Sequence, residues 1–349
     1  MRTHLLGLGA VLALALTPAA AHAWGATGHE WVGGVAAQLL PKQVPAFVRS
    51  PEAVVTIAEY SREPDRSKSS GKTHDAERDP AHFVDLYDDH KVMGVVALSD
   101  LPETRGDYDT LLRAGGWTQY KAGYLPYSIT DGYQQLVKDF AWWRASIYGA
   151  EHGAKADRAY FKADAKRREA LTLRDIGYLT HYVGDGAQPQ HTSIHYNAWG
   201  QPNPNNYTEI PGFHQRFEGV WVKANLSRAA VLAAVPAFHD CACPIMARAS
   251  AFILATNASI ETLYQIEKRG GFPAPAIDAG GEPVRAANTD PEAAKFATDL
   301  LARGAAEARD LIVLAWRESA NAVVGWPGVN VADIESGKIV LTKTMYAND

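Results

Sequence analysis

The chain has 349 residues, of which 47% are hydrophobic and 21% are charged, and its formal net charge is −5. This is the balance of an ordinary globular protein that can bury a sizeable core. Because Lys and Arg are not in surplus, the composition excludes a protein that follows a nucleic-acid backbone with basic side chains alone. If the chain acts on phosphates, another source of positive charge is needed.

The first predicted element is a secretory signal peptide over residues 1–23. It has a basic start, an apolar stretch over residues 5–16, and the small-residue end Ala21-His22-Ala23. Together these features match a signal with an A-x-A cleavage site. Cleavage after this motif would leave the amine of Trp24 free beside its own carbonyl oxygen, a pair that can chelate a metal ion. We therefore expect an exported protein, secreted or periplasmic.

The rest of the chain is predicted to be helical, since apolar residues recur at helical spacing. The segments with this pattern are Glu30–Leu40, Val54–Tyr60, Tyr133–Tyr148, Leu171–Gly184, Phe213–Ala230, Ile245–Glu267 and Pro291–Ala320. Helix-start signals lie at Asp131 and at Asn288–Pro291. An alternating pattern over Lys338–Thr344 predicts a strand or a packed extension.

Three stretches are predicted as loops, namely Ser61–Ala81, Asn197–Gly212 and Gly270–Ala287. Neither an internal repeat nor a break in composition marks a second domain. We therefore predict that residues 24–349 form one all-α domain with long loops. Cys241 and Cys243 are separated only by Ala242, too close for a disulfide framework, and their pairing stays open at this point.

Pairs of histidine and acidic residues four positions apart predict a metal site. His181 and Asp185 would lie on one face of a helix about one turn apart. His191 follows beyond the end of that helix, and His214 and Glu218 repeat the spacing. A single pair of this kind is usually a salt bridge on a helix surface. Two pairs with a further histidine between them favour a metal site, and imidazole and carboxylate groups are the usual non-thiolate zinc ligands.

Upstream residues extend this set of candidate ligands. They are His29, which follows Trp24 by five positions, Asp65 in Glu63-Pro64-Asp65, and His82 in Asp79-Pro80-Ala81-His82. The other histidines lack such a partner pattern, and we expect them on the surface or in the core. They are His74, His90, His152, His195 and His239.

Three motifs together carry a family resemblance. They are Trp24-Gly-x-x-Gly-His29, His181-x-x-x-Asp-x-x-Gln-Pro-x-His191 and His214-x-x-aromatic-Glu218. Their order and spacing resemble the trinuclear-zinc single-strand nucleases of the mung bean nuclease type, which share their fold and metal framework with the zinc-dependent phospholipases C. The resemblance implies an all-α domain of that type, with long loops around a metal cluster. It is weaker between Phe83 and Arg174 and beyond Ser250.

The resemblance also implies three zinc ions and their ligands. The first zinc would be held by Asp65, His82, His181 and Asp185. The second would be held by His191, His214 and Glu218. The third would be held by the amine and carbonyl of Trp24, by His29 and by a shared Asp185.

The same resemblance implies roles in catalysis and in substrate binding. Asp65 would orient the attacking water, and Arg66 or Lys68 would neutralise charge on the phosphate. Phe83, which follows a predicted ligand, would stack a base, and Asp85 would accept hydrogen bonds from the edge of that base. For Phe83, simple core packing is an equal alternative.

We interpret the chain as a secreted zinc-dependent endonuclease that hydrolyses single-stranded DNA or RNA, with 3′-nucleotides as further candidate substrates. The alternative enzyme is a phospholipase C acting on phospholipids, which Glu218 favours, because the nucleases usually have Asp at that position. A third interpretation is a secreted protein that sequesters zinc without catalysis. The Asn197–Gly212 loop, with Trp199 and Tyr207, would contact a membrane in the phospholipase and a nucleotide in the nuclease. Nothing implies a stable protein partner, and we expect a monomer.

Overall fold

The computed structural model describes residues 24–241 and 243–346. The predicted signal peptide lies outside this part of the chain. The structure is mostly helical, with 63% helix and little strand, which confirms the all-α class predicted from the sequence. Within the described ranges, no helix is both long enough and apolar enough to cross a bilayer.

The helices are numbered here in chain order. They are α1 Gly25–Gln38, α2 Ala46–Arg49, α3 Pro51–Tyr60, α4 Glu63–Arg66, α5 Lys72–Arg78, α6 Arg105–Ala114, α7 Gln119–Ala122, α8 Leu125–His152, α9 Arg158–Gly186, α10 Phe213–Gln215, α11 Val222–Asn225, α12 Arg228–Ala234, α13 Ile245–Asn257, α14 Ile260–Lys268, α15 Pro291–Glu318, α16 Val331–Glu335 and α17 Lys343–Tyr346. Short 3-10 helices cover Asp79–His82, Leu98–Asp100, Pro189–His191 and Ser319–Asn321, and a π-helix covers Arg216–Trp221.

The strands that the structure describes form short antiparallel pairs. They are β1 Lys91–Val92 with β2 Val96–Ala97, β3 Ala276–Ile277 with β4 Pro283–Val284, and β5 Val323–Val324 with β6 Val329–Asn330. Each strand has only two residues, so these pairs fix local turns and do not form a layer of the fold.

Helices α8 and α9 form an antiparallel pair of 28 and 29 residues. Leu179 of α9 lies against Gly132 of α8, and Phe161 lies against Gly149 near the other end of the pair. Helix α15 packs across α1, α8 and α9. The main apolar core lies between these helices, and the last turns of α9 pass through it.

Local sequence explains where α15 begins and how closely it packs. The Asp290 side chain accepts hydrogen bonds from the backbone N–H groups of Glu292 and Ala293, and Pro291 occupies the first turn, as expected of a capped helix start. This confirms the start predicted over Asn288–Pro291. Further along, a Cβ added at Gly304 would lie 3.0 Å from the Cβ of Ala187, so α15 lies directly on the end of α9.

A second, smaller apolar cluster joins the C-terminal segment to the first half of α9. It contains Phe161, Ile334 and Tyr346. The Tyr346 hydroxyl donates a hydrogen bond to Asp164 over 2.8 Å. The end of the described chain is therefore held against the α8–α9 pair.

Several predicted boundaries are corrected by the structure. The helix predicted over Phe213–Ala230 is interrupted after Asn225, and Ser227 caps α12 by accepting a hydrogen bond from the N–H of Ala230. The helix predicted over Ile245–Glu267 is divided into α13 and α14. Asp131 does not start a helix, since it lies inside α8.

The predicted loops and strand also differ in part from the structure. The Ser61–Ala81 stretch contains α4, which buries Pro64 and Asp65, and α5, which buries none of its residues. The Lys338–Thr344 stretch forms no strand; it is the packed extension that was the other prediction, since Leu341 is buried in the second apolar cluster, and α17 begins at Lys343. Cys241 and Cys243 are joined by a disulfide, with their Cα atoms 5.2 Å apart, which answers the pairing that the sequence left open.

Candidate metal centre

Eight predicted ligand side chains converge at the ends of separate helices. We call them the ligand cluster: His29, Asp65, His82, His181, Asp185, His191, His214 and Glu218. All of them are buried, and none is more than 9% exposed. Three subsets bring their donor atoms within 4.8 Å of one another, namely His29 with Asp65 and His181, His82 with His181 and Asp185, and His191 with His214 and Glu218. These groups could hold metal ions.

Asp185 lies at the centre of the ligand cluster, because its two oxygens face different histidines. Oδ2 lies 3.0 Å from Nδ1 of His82 and 3.4 Å from Nε2 of His181. Oδ1 lies 3.5 Å from Nε2 of His29. Asp65 approaches the same groups, with Oδ2 3.8 Å from Nε2 of His29 and Oδ1 3.8 Å from Nδ1 of His82. The Asp185 carboxylate thus faces two neighbouring groups of candidate ligands.

Glu218 occupies the corresponding position on the other side of the ligand cluster. Its Oε2 lies 2.7 Å from Nε2 of His214 and 3.6 Å from Nε2 of His191. The same oxygen accepts a hydrogen bond from the backbone nitrogen of Trp24 over 3.1 Å. The nitrogen of Trp24 is therefore inside the cluster, as the predicted amino-terminal chelate requires, although the carboxylate it contacts is Glu218 and not Asp185.

Local helical structure explains the spacing of these pairs. His181 and Asp185 occupy successive turns at the end of α9. Gly184 and Gly186 in the same turns leave room for neighbouring side chains. His214 lies on α10, and Glu218 lies in the π-helix that follows. A π-helix widens the turn, a feature often found at functional sites.

Backbone carbonyls fix the orientation of two of the histidine rings. Nδ1 of His181 donates to the carbonyl of Ser61 over 2.7 Å, and Nδ1 of His191 donates to the carbonyl of His82 over 2.7 Å. With Nδ1 protonated, the lone pair of each ring is on Nε2, the atom that faces the cluster. Such hydrogen bonds are typical of metal-binding histidines. Trp24 is held in a similar way, as its indole N–H donates to the carbonyl of Gly184 over 2.7 Å.

The donor atoms of the ligand cluster are better arranged to bind cations than to form hydrogen bonds with one another. Among the described residues, both ring nitrogens of His29, Oδ1 of Asp185 and Oε1 of Glu218 are buried without a hydrogen-bond partner. Nε2 of His181 faces Nδ1 of His82 at 2.9 Å. Two ligands of one tetrahedral zinc lie about 3.3 Å apart, given Zn–N bonds of about 2.0–2.1 Å, so these nitrogens would move slightly apart to share an ion.

Burial keeps the histidines in the form that binds metals. Desolvation lowers the pKa of His181 to about 4 and lowers the pKa of His29, His82 and His191 below the usual value. These rings are therefore neutral at pH 7, as ligation requires. Burial raises the pKa of Asp185, and the nearby Asp65 carboxylate raises it further. A bound cation would offset both effects and allow Asp185 to ionise.

Of the two predicted charge-neutralising residues, the structure brings only Lys68 to the cluster. Its Nζ lies 2.7 Å from Oδ1 of Asp65, and its side chain is 12% exposed. Burial lowers the pKa of Lys68, but the Asp65 carboxylate more than compensates and raises it above the usual value. Arg66 instead pairs with Glu59 and Glu63 over 2.9 and 2.5 Å on the outer side of α4. These two ion pairs hold the Arg66 side chain at the surface.

A pocket of about 590 Å³ lies directly beside the ligand cluster. Its lining includes His82, His191, Lys68 and both predicted substrate residues, Phe83 and Asp85. Burial raises the pKa of Asp85 to about 8, so at pH 7 this carboxyl group can both donate and accept a hydrogen bond. Phe83 therefore lines the pocket beside the ligand cluster.

Sequence reasoning missed seven other residues of this pocket, among them Asp79, Met93 and Gln190. We call the remaining four the pocket wall: Trp117, Tyr120, Lys121 and Tyr196. The available signal was the run of aromatic and basic residues in Trp117-Thr-Gln-Tyr120-Lys121, which is typical of single-strand binding surfaces.

Two aromatic residues of the predicted contact loop are not at the surface. Trp199 and Tyr207 are buried, and the Trp199 ring stacks on His195 with centroids 3.8 Å apart. His195 in turn lies 2.9 Å from Asp88. Since Trp199 and Tyr207 pack inward, the prediction that they contact a membrane or a nucleotide is wrong. Tyr196, 52% exposed, is the aromatic residue that faces outward there.

No known family model matches the chain, and no curated protein matches it either.

Proposed function

We propose that this chain is a zinc-dependent phosphodiesterase of the single-strand nuclease and phospholipase C fold type, exported by its signal peptide. Its preferred substrate would be single-stranded DNA or RNA. The observation that carries the proposal is the buried ligand cluster opening directly onto a pocket that holds Phe83, Asp85 and Lys68. Such a pocket offers an aromatic face, a hydrogen-bonding carboxyl group and a cation beside metal-binding groups.

Three zinc ions fit the donor set of this chain. One would be held by Asp65, His82, His181 and Asp185, the second by His191, His214 and Glu218, and the third by Trp24, His29 and Asp185. When bound, zinc supplies Lewis acidity and makes water a nucleophile near neutral pH. Against three carboxylates, three divalent ions leave the site positively charged, which provides the charge that the composition lacks.

The residues of the chain would bind and orient the phosphate ester. Asp65, held by Lys68, would orient the attacking water. The Lys68 ammonium would neutralise charge on the phosphate. Phe83 offers its ring to a base, and Asp85 offers hydrogen bonds to the edge of that base. Because every base has a π-face, stacking of this kind tolerates any sequence and requires an unpaired strand.

Glu218 favours a second candidate function, that of a phospholipase C, since the phospholipases place Glu at this ligand position. The burial of Trp199 and Tyr207 removes the expected membrane contact and the expected nucleotide contact alike, so it does not separate the two candidates. We favour the nuclease because Phe83 and Asp85, the residues proposed to bind a base, line the pocket beside the ligand cluster.

The decisive experiment compares two substrates. Protein cleaved after Ala23 and loaded with zinc is incubated with a single-stranded oligonucleotide and, separately, with phosphatidylcholine vesicles. We expect cleavage of the oligonucleotide, weaker in Phe83→Ala and lost in Asp185→Asn. Hydrolysis of the vesicles alone would support the phospholipase. Zinc binding without hydrolysis of either substrate would support a sequestering protein.

A further inference from the structure

The pocket wall is contributed by two segments that carry no candidate metal ligand. Trp117, Tyr120 and Lys121 follow α6 and enter α7, within the stretch where the family resemblance is weak. Tyr196 approaches from the beginning of the Asn197–Gly212 loop. All four line the same pocket as Phe83. The pocket therefore has aromatic surface beyond the ring already assigned to one base.

Backbone hydrogen bonds hold the end of α7 and the start of α8 against the segment that carries Phe83 and Asp85. The N–H of Asp85 donates to the carbonyl of Ala122 over 2.8 Å, and the N–H of Leu125 donates to the carbonyl of Phe83 over 3.1 Å. Gly123 permits this approach, because its φ is +74° and an added Cβ would lie 2.1 Å from the oxygen of Phe83. The positions of Tyr120 and Lys121 are thus fixed relative to Phe83.

The side chains of the pocket wall are available to a ligand. Tyr196 is 52% exposed and Tyr120 is 37% exposed. Trp117 is partly buried against the core and shows the rest of its ring to the pocket. Among the residues that the structure describes, Lys121 has neither an ion pair nor a side-chain hydrogen bond. Exposed rings interleaved with a cation are the usual composition of a surface that binds single-stranded nucleic acid.

We propose that the pocket wall is a second nucleotide subsite. Trp117, Tyr120 and Tyr196 stack a base adjacent to the one at Phe83, and Lys121 binds the phosphate on that side. This inference rests on the proposed nuclease function and adds a preference for oligonucleotides over mononucleotides. A lipid surface is the less suitable occupant, because these rings line a recess and do not project from a convex face.

The test compares two substrates that differ only in their bases. One is a single-stranded oligothymidylate, and the other is an abasic oligonucleotide of the same length. In the zinc-loaded protein, Trp117→Ala, Tyr120→Ala and Tyr196→Ala should each lower the ratio of kcat/KM for the first to kcat/KM for the second. The expected reduction is about 5-fold to 100-fold, the range that one base stack contributes. Trp117→Phe, which keeps a ring, should largely preserve the ratio.

Binding provides a readout that does not depend on turnover. Fluorescence anisotropy with a hydrolysis-resistant phosphorothioate oligothymidylate should show the same losses as increases in Kd. Lys121→Gln should reduce the salt dependence of binding by about 0.7 in the slope of log K against log salt, the value for one phosphate contact on a single strand. Trp326→Ala and Lys162→Gln are matched controls outside the pocket, since Trp326 is 71% exposed and Lys162 is exposed on α9.

The outcomes separate this inference from the function on which it rests. If the unmutated protein does not cleave oligonucleotides, the nuclease proposal fails and the subsite fails with it. If it cleaves them and the three alanine variants keep the substrate ratio and Kd of the unmutated protein, the subsite is overturned and the nuclease proposal stands. Reduced hydrolysis of phosphatidylcholine vesicles alone would identify the wall as a lipid contact and would also overturn the inference.

Discussion

The side chains of the ligand cluster are buried and polar, whereas those of the pocket wall are largely aromatic and partly open to solvent. His181 and Asp185 are fully buried, yet Tyr196, a few residues further along, is 52% exposed. Buried groups without partners are costly unless a cation compensates them. Exposed rings carry little such cost and gain only when a ligand covers them. We therefore expect the cluster to govern stability and metal content and, under the proposed function, the wall to govern affinity for substrate.

The strongest way to break the cluster is to neutralise its central carboxylate. Asp185→Asn should abolish turnover and reduce the zinc content, because both oxygens of Asp185 face histidine ligands. The loss should exceed the about 10-fold to 100-fold effect of removing an outer partner of a metal ligand. Metal analysis and a nuclease assay would measure both. Glu218→Asp is the matched control and should retain zinc and substantial activity. Normal turnover in Asp185→Asn would require the ligand assignment to be abandoned.

An extra residue before Trp24 should have the next largest effect. It would convert the amine of Trp24 into an amide, which is not a metal donor, while leaving every side chain in place. We expect one zinc fewer per chain and most of the turnover lost, compared with protein that begins at Trp24. The same activity and zinc content in both proteins would show that Trp24 is not a ligand.

The stability of the metal-free protein should fall in mild acid. The pKa of His181 is lowered from its unfolded value of about 6.5 to about 4, so the unfolded chain binds the proton more readily. The contribution of His181 to the free energy of unfolding, of order 3 kcal/mol, is present above pH 6.5 and is lost as the pH falls towards 4. The lowered pKa values of His29, His82 and His191 also reduce stability as the pH falls. The raised pKa of Asp185 has the opposite effect on stability.

Thermal melts after chelation, recorded between pH 7 and pH 4.5, would measure this loss. His152→Gln, a change at an exposed histidine, should leave the profile as it is. A melting temperature that does not change across this range would show that the buried histidines are not kept neutral in the folded protein. Zinc should raise the melting temperature at pH 7, because binding and folding are coupled.

The connection between the wall and the cluster can be tested at a single glycine. Gly123→Ala should destabilise the protein, because the added Cβ would lie 2.1 Å from the Phe83 oxygen. Gly116→Ala is the matched control, since Gly116 also has a positive φ, +86°, but nothing lies within 4 Å of its added Cβ. The control should lose only the about 1–2 kcal/mol of a left-handed backbone. Equal free energies of unfolding would mean that α7 is not tied to Phe83.

Sequence reasoning reached the ligand cluster more easily than the wall, for a physical reason. His181 and Asp185 are joined by the period of one helix, so their spacing alone places them side by side. His29, Asp65 and His82 have no such local relation to them; the sequence names them only as candidate ligands, and the family resemblance groups them around particular zinc ions. Tyr120 and Lys121 meet Phe83 only through backbone hydrogen bonds across Gly123, a long-range contact that no local pattern encodes.

The same distinction between local signals and long-range contacts applies to helix boundaries. The start of α15 was readable, because Asp290 and Pro291 are local signals that act on their own helix. The break after Asn225 was not predicted, although Ser227 caps the next helix, because apolar spacing continues across the break. Arg66 lies one position from Asp65, yet its side chain is drawn to Glu59 and Glu63 on the outer face of α4. The direction of a side chain depends on neighbours that the sequence does not place.

The position of α15 has a consequence for the order in which the molecule matures. The last candidate ligand along the chain is Glu218, but the end of α9 is covered by α15, where Gly304 lies against Ala187. During synthesis, all the candidate ligands therefore emerge well before the helix that closes over them. Until α15 has folded over them, these side chains stay open to water and to competing ions. We expect zinc to be retained only after the C-terminal third has folded, so that the metal is acquired in the compartment that the protein finally occupies.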